Sequence, residues 1–367
     1  MSAPPKPVII PHGTSARGNL YRAAIVGAAT LKGKEVAEVL TERNFPTVDV
    51  RLLDDDDSIG QLEAMGDEIN FIQSVRTEQF GRVDFTFFAG DAESTRKNWK
   101  TARNAGSAII DLSGVLEEEP GATVRSVWLE RERGHVLAPE LQPGPCVAAH
   151  PAAVMLALLL LRARKAGAIR RAVATVFEPA SERGQKGMDE LHRQTVNLLS
   201  FQPLPKDIYD AQVAFNLLAS CGQGSRPALA SLEARVLRHY GKIADKLAGE
   251  NIAGEDPPWP SLMLLQAPVF HGYALAIFLE MEQASDRERV SLVLAGDHVT
   301  IAGADDELPN NVNSAGQADI LVSVKNDADQ PAGVWLWAAA DNLRIAATNA
   351  VECAETMIAT RPLGKIQ

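Results

Sequence analysis

The chain has 367 residues, 46% of them apolar, and a formal net charge of −11. That size and apolar share support one large or two ordinary domains with a full core, and the negative balance argues against nucleic acid or an anionic membrane as a partner. Its three cysteines, Cys146, Cys221 and Cys353, are far apart and form neither a disulfide framework nor a CxxC metal site, which reads as a reducing, cytoplasmic compartment.

Residues 1–20 are rich in proline, carry Gly13 and Gly18, and lack an apolar run long enough for a signal peptide; they are expected to be a flexible tail. Residues 21–28 follow as a strand pattern containing Gly27, residues 33–43 as a helix with Val36, Ala37, Val39 and Leu40 on its apolar side, and residues 48–53 as a second strand. Strand, glycine turn, helix and strand open a dinucleotide-binding βαβ unit. Gly27 and Gly33 take the outer places of GxxGxxG, with Ala28 between them and Thr30 in the middle place. A Cβ at Thr30 crowds the approach of a pyrophosphate. Asp54, 21 residues after Gly33, ends the second strand. It reads either as an acid that accepts from a ribose 2′-hydroxyl and repels a 2′-phosphate, favouring NAD over NADP, or as part of a solvated turn over residues 54–57.

Residues 84–90 read as a strand, 92–104 as a helix and 108–112 as another strand, extending a parallel sheet. Gly90 and Ser113 then fall at the carboxyl ends of strands, where ligands sit. The acidic run at residues 117–119 reads as a solvated face. Pro151 opens a helix whose ten residues from Ala152 to Leu161 carry no charge. That is too short for a membrane span, which needs about 20 residues, and suits a helix buried on nearly every side. Its first turn offers no thiol and no hydroxyl, only His150, Ala152, Ala153 and Val154.

The second half reads as a strand at 169–180, a turn and helix at 181–199 and an amphipathic helix at 229–247. Strand-like stretches follow at 262–281, 289–301, 320–324 and 334–340, and a closing helix at 343–357. Residues 251–260 and 305–318 read as loops. Trp335 and Trp337 share one strand face, a core or interface surface. The seven histidines show no HxxxH or HExxH spacing, so no metal is expected.

Three segments carry a resemblance to a known family. WLWAAADNLRIAATNAVECAE at 335–355 is similar to a WxxxDNLRKGAAxN…AE ending, SERGQKGMDEL at 181–191 to SGAGxxGxxEL, and Ala214-Phe215-Asn216 to an AFN motif. From about residue 21 onward the chain resembles the aspartate-semialdehyde dehydrogenases. The resemblance implies an α/β fold. A Rossmann-type parallel sheet domain (21–149 plus 341–360), binding NAD(P), would join an α+β, glyceraldehyde-3-phosphate dehydrogenase-like dimerisation domain (150–340). It also implies a homodimer and the reduction of an acyl phosphate to a semialdehyde through a cysteine thioester and NADPH.

That chemistry needs a thiolate, an imidazole and a guanidinium for the substrate carboxylate. The resemblance puts Ala153 in the cysteine's place, Gln266 in the arginine's, Tyr273 in the histidine's and Glu178 in that of a glutamine near the thioester. Arg235 stands for a phosphate-site lysine, Leu116 for a further arginine, and the 2′-phosphate arginine is replaced within residues 54–57. The expectation is a non-catalytic relative that binds NAD rather than NADP, or no nucleotide, and acts through a protein partner or small ligand. The alternatives are an NAD-dependent oxidoreductase for another substrate and a structural partner of an active paralogue. Cys146, His271, His150 and a polar cleft of Glu178 with Lys186 and Arg235 are the substitutes considered for the missing groups; the bland readings are a buried structural thiol, a strand histidine, a packing or capping histidine and an internal ion pair.

Overall fold

The computed structural model describes residues 21–55, 59–65, 68–134, 144–244, 258–303 and 305–358. The expected tail at 1–20, Asp56 and Asp57, Leu247 and most of the loop at 251–260 lie outside them. The first half forms β1 (Tyr21–Val26), α1 (Leu31–Glu42), β2 (Thr47–Asp54), β3 (Leu62–Met65), β4 (Glu68–Phe71), β5 (Gln73–Ser74), β6 (Phe85–Phe88), α2 (Ala92–Asn104), β7 (Ala108–Asp111), β8 (Thr123–Arg125), α3 (Val127–Glu132) and β9 (Cys146–Ala148). Then come α4 (Pro151–Ala163), β10 (Ile169–Glu178), α5 (Gly184–Leu199), α6 (Leu229–Ala244), β11 (Ser261–Gln266), β12 (Tyr273–Met281), α7 (Arg287–Leu294), β13 (Val299–Ile301), β14 (Ile320–Asn326), β15 (Gly333–Ala340) and α8 (Asn342–Ile358).

Seven strands make a parallel sheet in the order β5-β2-β1-β6-β7-β9-β8, and six make a mixed sheet in the order β11-β10-β12-β15-β14-β13. This is the expected Rossmann-type sheet followed by an α+β unit. Strand side chains alternate between faces, so the parallel sheet sorts its residues into two cores. Ala23, Ile25, Leu52, Ile110 and Cys146 pack with α1 and α8, while Ala24, Val26, Leu53, Ile109 and Val147 pack on the other face. That second core runs without a break into the mixed sheet through Leu275, Ile277 and Leu336. Helix α4 is the joint. It is buried at every position except Leu161, because one side meets the parallel sheet's core and the other the mixed sheet's. Each of its enclosed leucines contributes about 1.5–3 kcal/mol.

Two local expectations are corrected. The stretch at 289–301 is not one strand: Arg287–Leu294 is helical, started by Asp286, whose carboxylate accepts from the Arg289 N–H at 2.7 Å. Its valines and leucines fit a strand as well as a helix, so the cap decides. The stretch at 262–281 is two strands, separated by a bend at Gly272 with φ +81°.

Candidate functional site

The turn from β1 into α1 is held by the protein's own groups. A Cβ on Gly27 would lie 2.3 Å from the Gly90 Cα, and one on Gly33 2.1 Å from the Gly27 carbonyl; both glycines are required by backbone approach alone. Thr30 is the N-cap of α1. Its hydroxyl accepts from the Gly33 N–H at 3.0 Å and donates to the Gly27 carbonyl at 2.7 Å. Asp54 accepts from the Ala29 N–H at 2.6 Å and from the Asp55 N–H at 2.8 Å. It also lines a cavity of about 480 Å³ with Asp55, Ser74, Asp91, Glu93 and Lys97. So the acid is not a merely solvated side chain: it ties the glycine turn and faces a pocket. Gly90 sits against Gly27. Ser113 is turned inward, its hydroxyl donating to Asp111 at 2.6 Å.

The four positions that the resemblance ties to the reaction converge where α4, β10, β11 and β12 meet. Ala153, Glu178, Gln266 and Tyr273 are each fully buried. Glu178 ends β10 and Tyr273 begins β12, one step beyond the cross-strand pair Phe177–Ala274, so the two side chains are neighbours on the inner face. The His150 ring lies 5.8 Å from that of Tyr273. Gln266 donates to the Glu178 and Ala267 carbonyls at 3.0 and 3.2 Å and accepts from Arg183 Nε at 3.3 Å. Leu116 points into the core instead of this site.

Charges from other elements complete the cluster. Lys32, in the first turn of α1, forms a 3.2 Å ion pair with Glu182. Glu182 also accepts from the Asn342 amide at 2.9 Å, and Asn342 in turn accepts from the Gly272 N–H and the Ser181 hydroxyl. Burial opposes a charge on Glu182, but Lys32, His150 and Asn342 hold its carboxyl below the usual range. Burial pushes Glu178 up to about 8 against the pull of Arg183, whose Nε lies 3.9 Å away. Burial drives His150 down to about 3, so it is neutral at pH 7.

At the start of α4 the His150 N–H donates to His239 Nδ1 at 2.9 Å. That fixes the tautomer, leaving Nε2 as the protonated nitrogen, 3.2 Å from Glu117. Glu117 therefore is not the solvated side chain expected of the acidic run. Partial burial opposes its ionisation, yet hydrogen bonds from His239 and Arg238 bring it down to about 2. Arg235 donates to the Ser113 carbonyl at 3.1 Å. Glu178 is thus paired with Arg183 and not with Lys186, which is exposed. His271 lies in the bend before β12, so the strand alternation expected to aim it with Tyr273 does not apply. Cys146 contacts Cys353 in the core on the α8 side of the sheet, away from Ala153. Cys221 lies 3.6 Å from Arg183.

Residues 22–144 match the semialdehyde dehydrogenase NAD binding domain and residues 160–345 the semialdehyde dehydrogenase dimerisation domain. The chain belongs to the semialdehyde dehydrogenase family. A Pseudomonas aeruginosa relative named USG-1 protein homolog is 33% identical over 350 residues, covering 91% of this chain and 97% of its own. An aspartate-semialdehyde dehydrogenase from Rickettsia bellii is 27% identical, with 93% and 98% covered. Among solved structures, a probable aspartate-semialdehyde dehydrogenase from Pseudomonas aeruginosa superposes with a TM-score of 0.80 at 31% identity, covering 93% of this chain and 99% of that one. Aspartate semialdehyde dehydrogenase II of Vibrio cholerae, complexed with ASA, gives 0.78 at 26% identity, with 93% and 99% covered. No helix among the described residues of this family member is long and apolar enough to cross a membrane.

Glu182, Arg183, Lys32, His239 and Asn342 were not singled out from the sequence. A signal existed for the first two. In the SERG segment of this semialdehyde dehydrogenase family member they stand where the compared motif has glycine and alanine, so two long charged side chains enter a space that small residues leave open.

Proposed function

We propose that this chain is a non-catalytic member of the family that acts by binding. One observation carries the reading: the buried helix start to which the resemblance assigns the nucleophile holds Ala153, fully enclosed in the core. A methyl group forms no thioester. The surroundings support it. Burial raises Tyr273 well above the usual phenol range, so it takes up no proton near pH 7. Gln266 spends its amide on backbone carbonyls. The test is an assay with aspartate semialdehyde, inorganic phosphate and NAD or NADP, following nicotinamide absorbance. No turnover above the protein-free rate is expected. Steady turnover that is lost on replacing Cys221 or Cys146 by serine would overturn the reading.

The pocket beside Asp54 supports the adenosine half of a dinucleotide without a 2′-phosphate. Four carboxylates, Asp54, Asp55, Asp91 and Glu93, face one lysine, Lys97, and repel an added phosphate. A bound nicotinamide cofactor would supply a hydride acceptor, and in this reading it would serve as a ligand. Calorimetry is expected to show tighter binding of NAD than of NADP. The same pocket favours, as a second reading, an NAD-dependent oxidoreductase; a substrate-dependent absorbance change with NAD would distinguish it.

The assembly we propose is a homodimer through the outer face of the mixed sheet. Val173, Met263, Trp335 and Trp337 are exposed there, and the dimerisation-domain match supports the choice. Sedimentation is expected to give a dimer, and Val173→Arg to shift it to monomer.

A further inference from the structure

The buried cluster contains polar atoms that the surrounding protein leaves without hydrogen bonds. Both carboxylate oxygens of Glu178, which Arg183 faces only as an ion pair at 3.9 Å, the Tyr273 hydroxyl and His150 Nδ1 are enclosed and have no hydrogen-bond partner among the described residues. Such atoms are costly to bury, and four in one place point to a missing donor. The nearby cations direct their observed bonds elsewhere. Arg183 directs Nε to Gln266, one terminal nitrogen to Ser225 and the Pro227 carbonyl, and the other to Cys221. Lys32 is held by Glu182 and Arg235 by the Ser113 carbonyl.

We propose that Glu178, Tyr273 and His150 together hold a primary ammonium group, either the ammonium ion or the amine end of a small ligand. An ammonium group offers at least three donors. Glu178 presents a carboxylate, Tyr273 a phenol oxygen and neutral His150 an unprotonated nitrogen. The positive charge stabilises the ionised form of Glu178 where solvent does not reach, and water excluded from the site strengthens the pair. A bare alkali cation satisfies the carboxylate and the phenol but takes a neutral imidazole poorly, so the site selects N–H donors. Because the cluster is closed over, a compact head group is admitted and a quaternary one is not.

The proposal deepens the non-catalytic reading and rests on it. The turnover assay tests that reading alone: an inactive protein that also ignores amines would sink only this proposal. The experiment is thermal unfolding of the full chain in ammonium, methylammonium, tetramethylammonium, sodium or potassium chloride at constant ionic strength. Ammonium is expected to raise the midpoint, while sodium, potassium and tetramethylammonium do not. An equal effect of methylammonium identifies a ligand amine, and an effect of ammonium alone identifies the free ion. Glu178→Gln is expected to weaken the ammonium response at least tenfold in concentration, and Tyr273→Phe severalfold. Equal midpoints in ammonium and sodium, or an undiminished response in Glu178→Gln, would overturn it, a buried water being then the occupant. Should Glu178→Gln fail to fold, a slowly exchanging bound resonance from 15N-ammonium on the unaltered protein decides: its presence supports the site and its absence refutes it.

Discussion

The two ends of the cleft keep different parts of the family's design. At the β1–α1 turn the glycines remain, and each is required by backbone-to-backbone approach whatever the ligand. At the α4 end the side chains form an internal lattice of Lys32–Glu182, Arg183–Gln266 and His150–His239–Glu117 contacts. A feature needed for folding is held in place whatever a site does, whereas one needed only for chemistry is free to vary. A glycine motif is therefore weak evidence for a cofactor, and the make-up of the polar cluster bears more directly on what the site does.

That contrast breaks most sharply at Gly27. Gly27→Ala forces a Cβ to within 2.3 Å of Gly90 at φ +85°, so a loss of about 4 kcal/mol is expected in denaturant titrations, with or without nucleotide. A loss that nucleotide rescues would show that the turn is built for the ligand after all.

At the other end the sign is set by Glu178. Its folded value, near 8, exceeds the ordinary 4.5, so the folded state holds the proton more tightly and stability falls as pH rises between those values. The expected decline is on the order of 3 kcal/mol, less than the full shift implies, and Glu178→Gln removes it. Unfolding midpoints measured at several pH values check this; equal slopes in both proteins would show that Glu178 ionises freely. The opposite sign belongs to His150 and Glu117, held down to about 3 and about 2: their contribution is present above the ordinary ranges and is lost in acid.

Smaller effects sharpen the comparison. Lys32→Met strands a buried Glu182 and is expected to cost about 2 kcal/mol, reduced because Lys32 is partly exposed. Asp54→Ala deprives the Ala29 N–H of its acceptor and costs about 1 kcal/mol; by calorimetry it should also narrow the preference for NAD over NADP.

Much of the fold was legible because its signals are local. The uncharged run after Pro151 announced a buried helix, and the strand–glycine–helix opening announced the parallel sheet. Helix α7 was missed because Val290, Leu292 and Val293 suit either period, and only the Asp286 cap separates them. The site was legible as a set of positions through the resemblance, but not as a network. Glu182 meets Lys32, 150 residues away in sequence, and Glu117, in the turn after β7, meets His239 of α6. No spacing rule pairs residues so far apart. Lys186 seemed the better partner for Glu178 on charge alone, yet it points to solvent, while Arg183 is folded inward by the turn before α5.

Helix α4 has a consequence for how this molecule comes apart. Its residues 152–160 and Ala163 belong to one core shared by both sheets, so releasing either sheet strips the other of its packing. The halves should melt as a single cooperative unit, with one calorimetric peak, and neither should survive alone after truncation near residue 150. A chain wired in this way evolves as a whole: it can exchange the tenants of its cleft far more easily than it can exchange its halves.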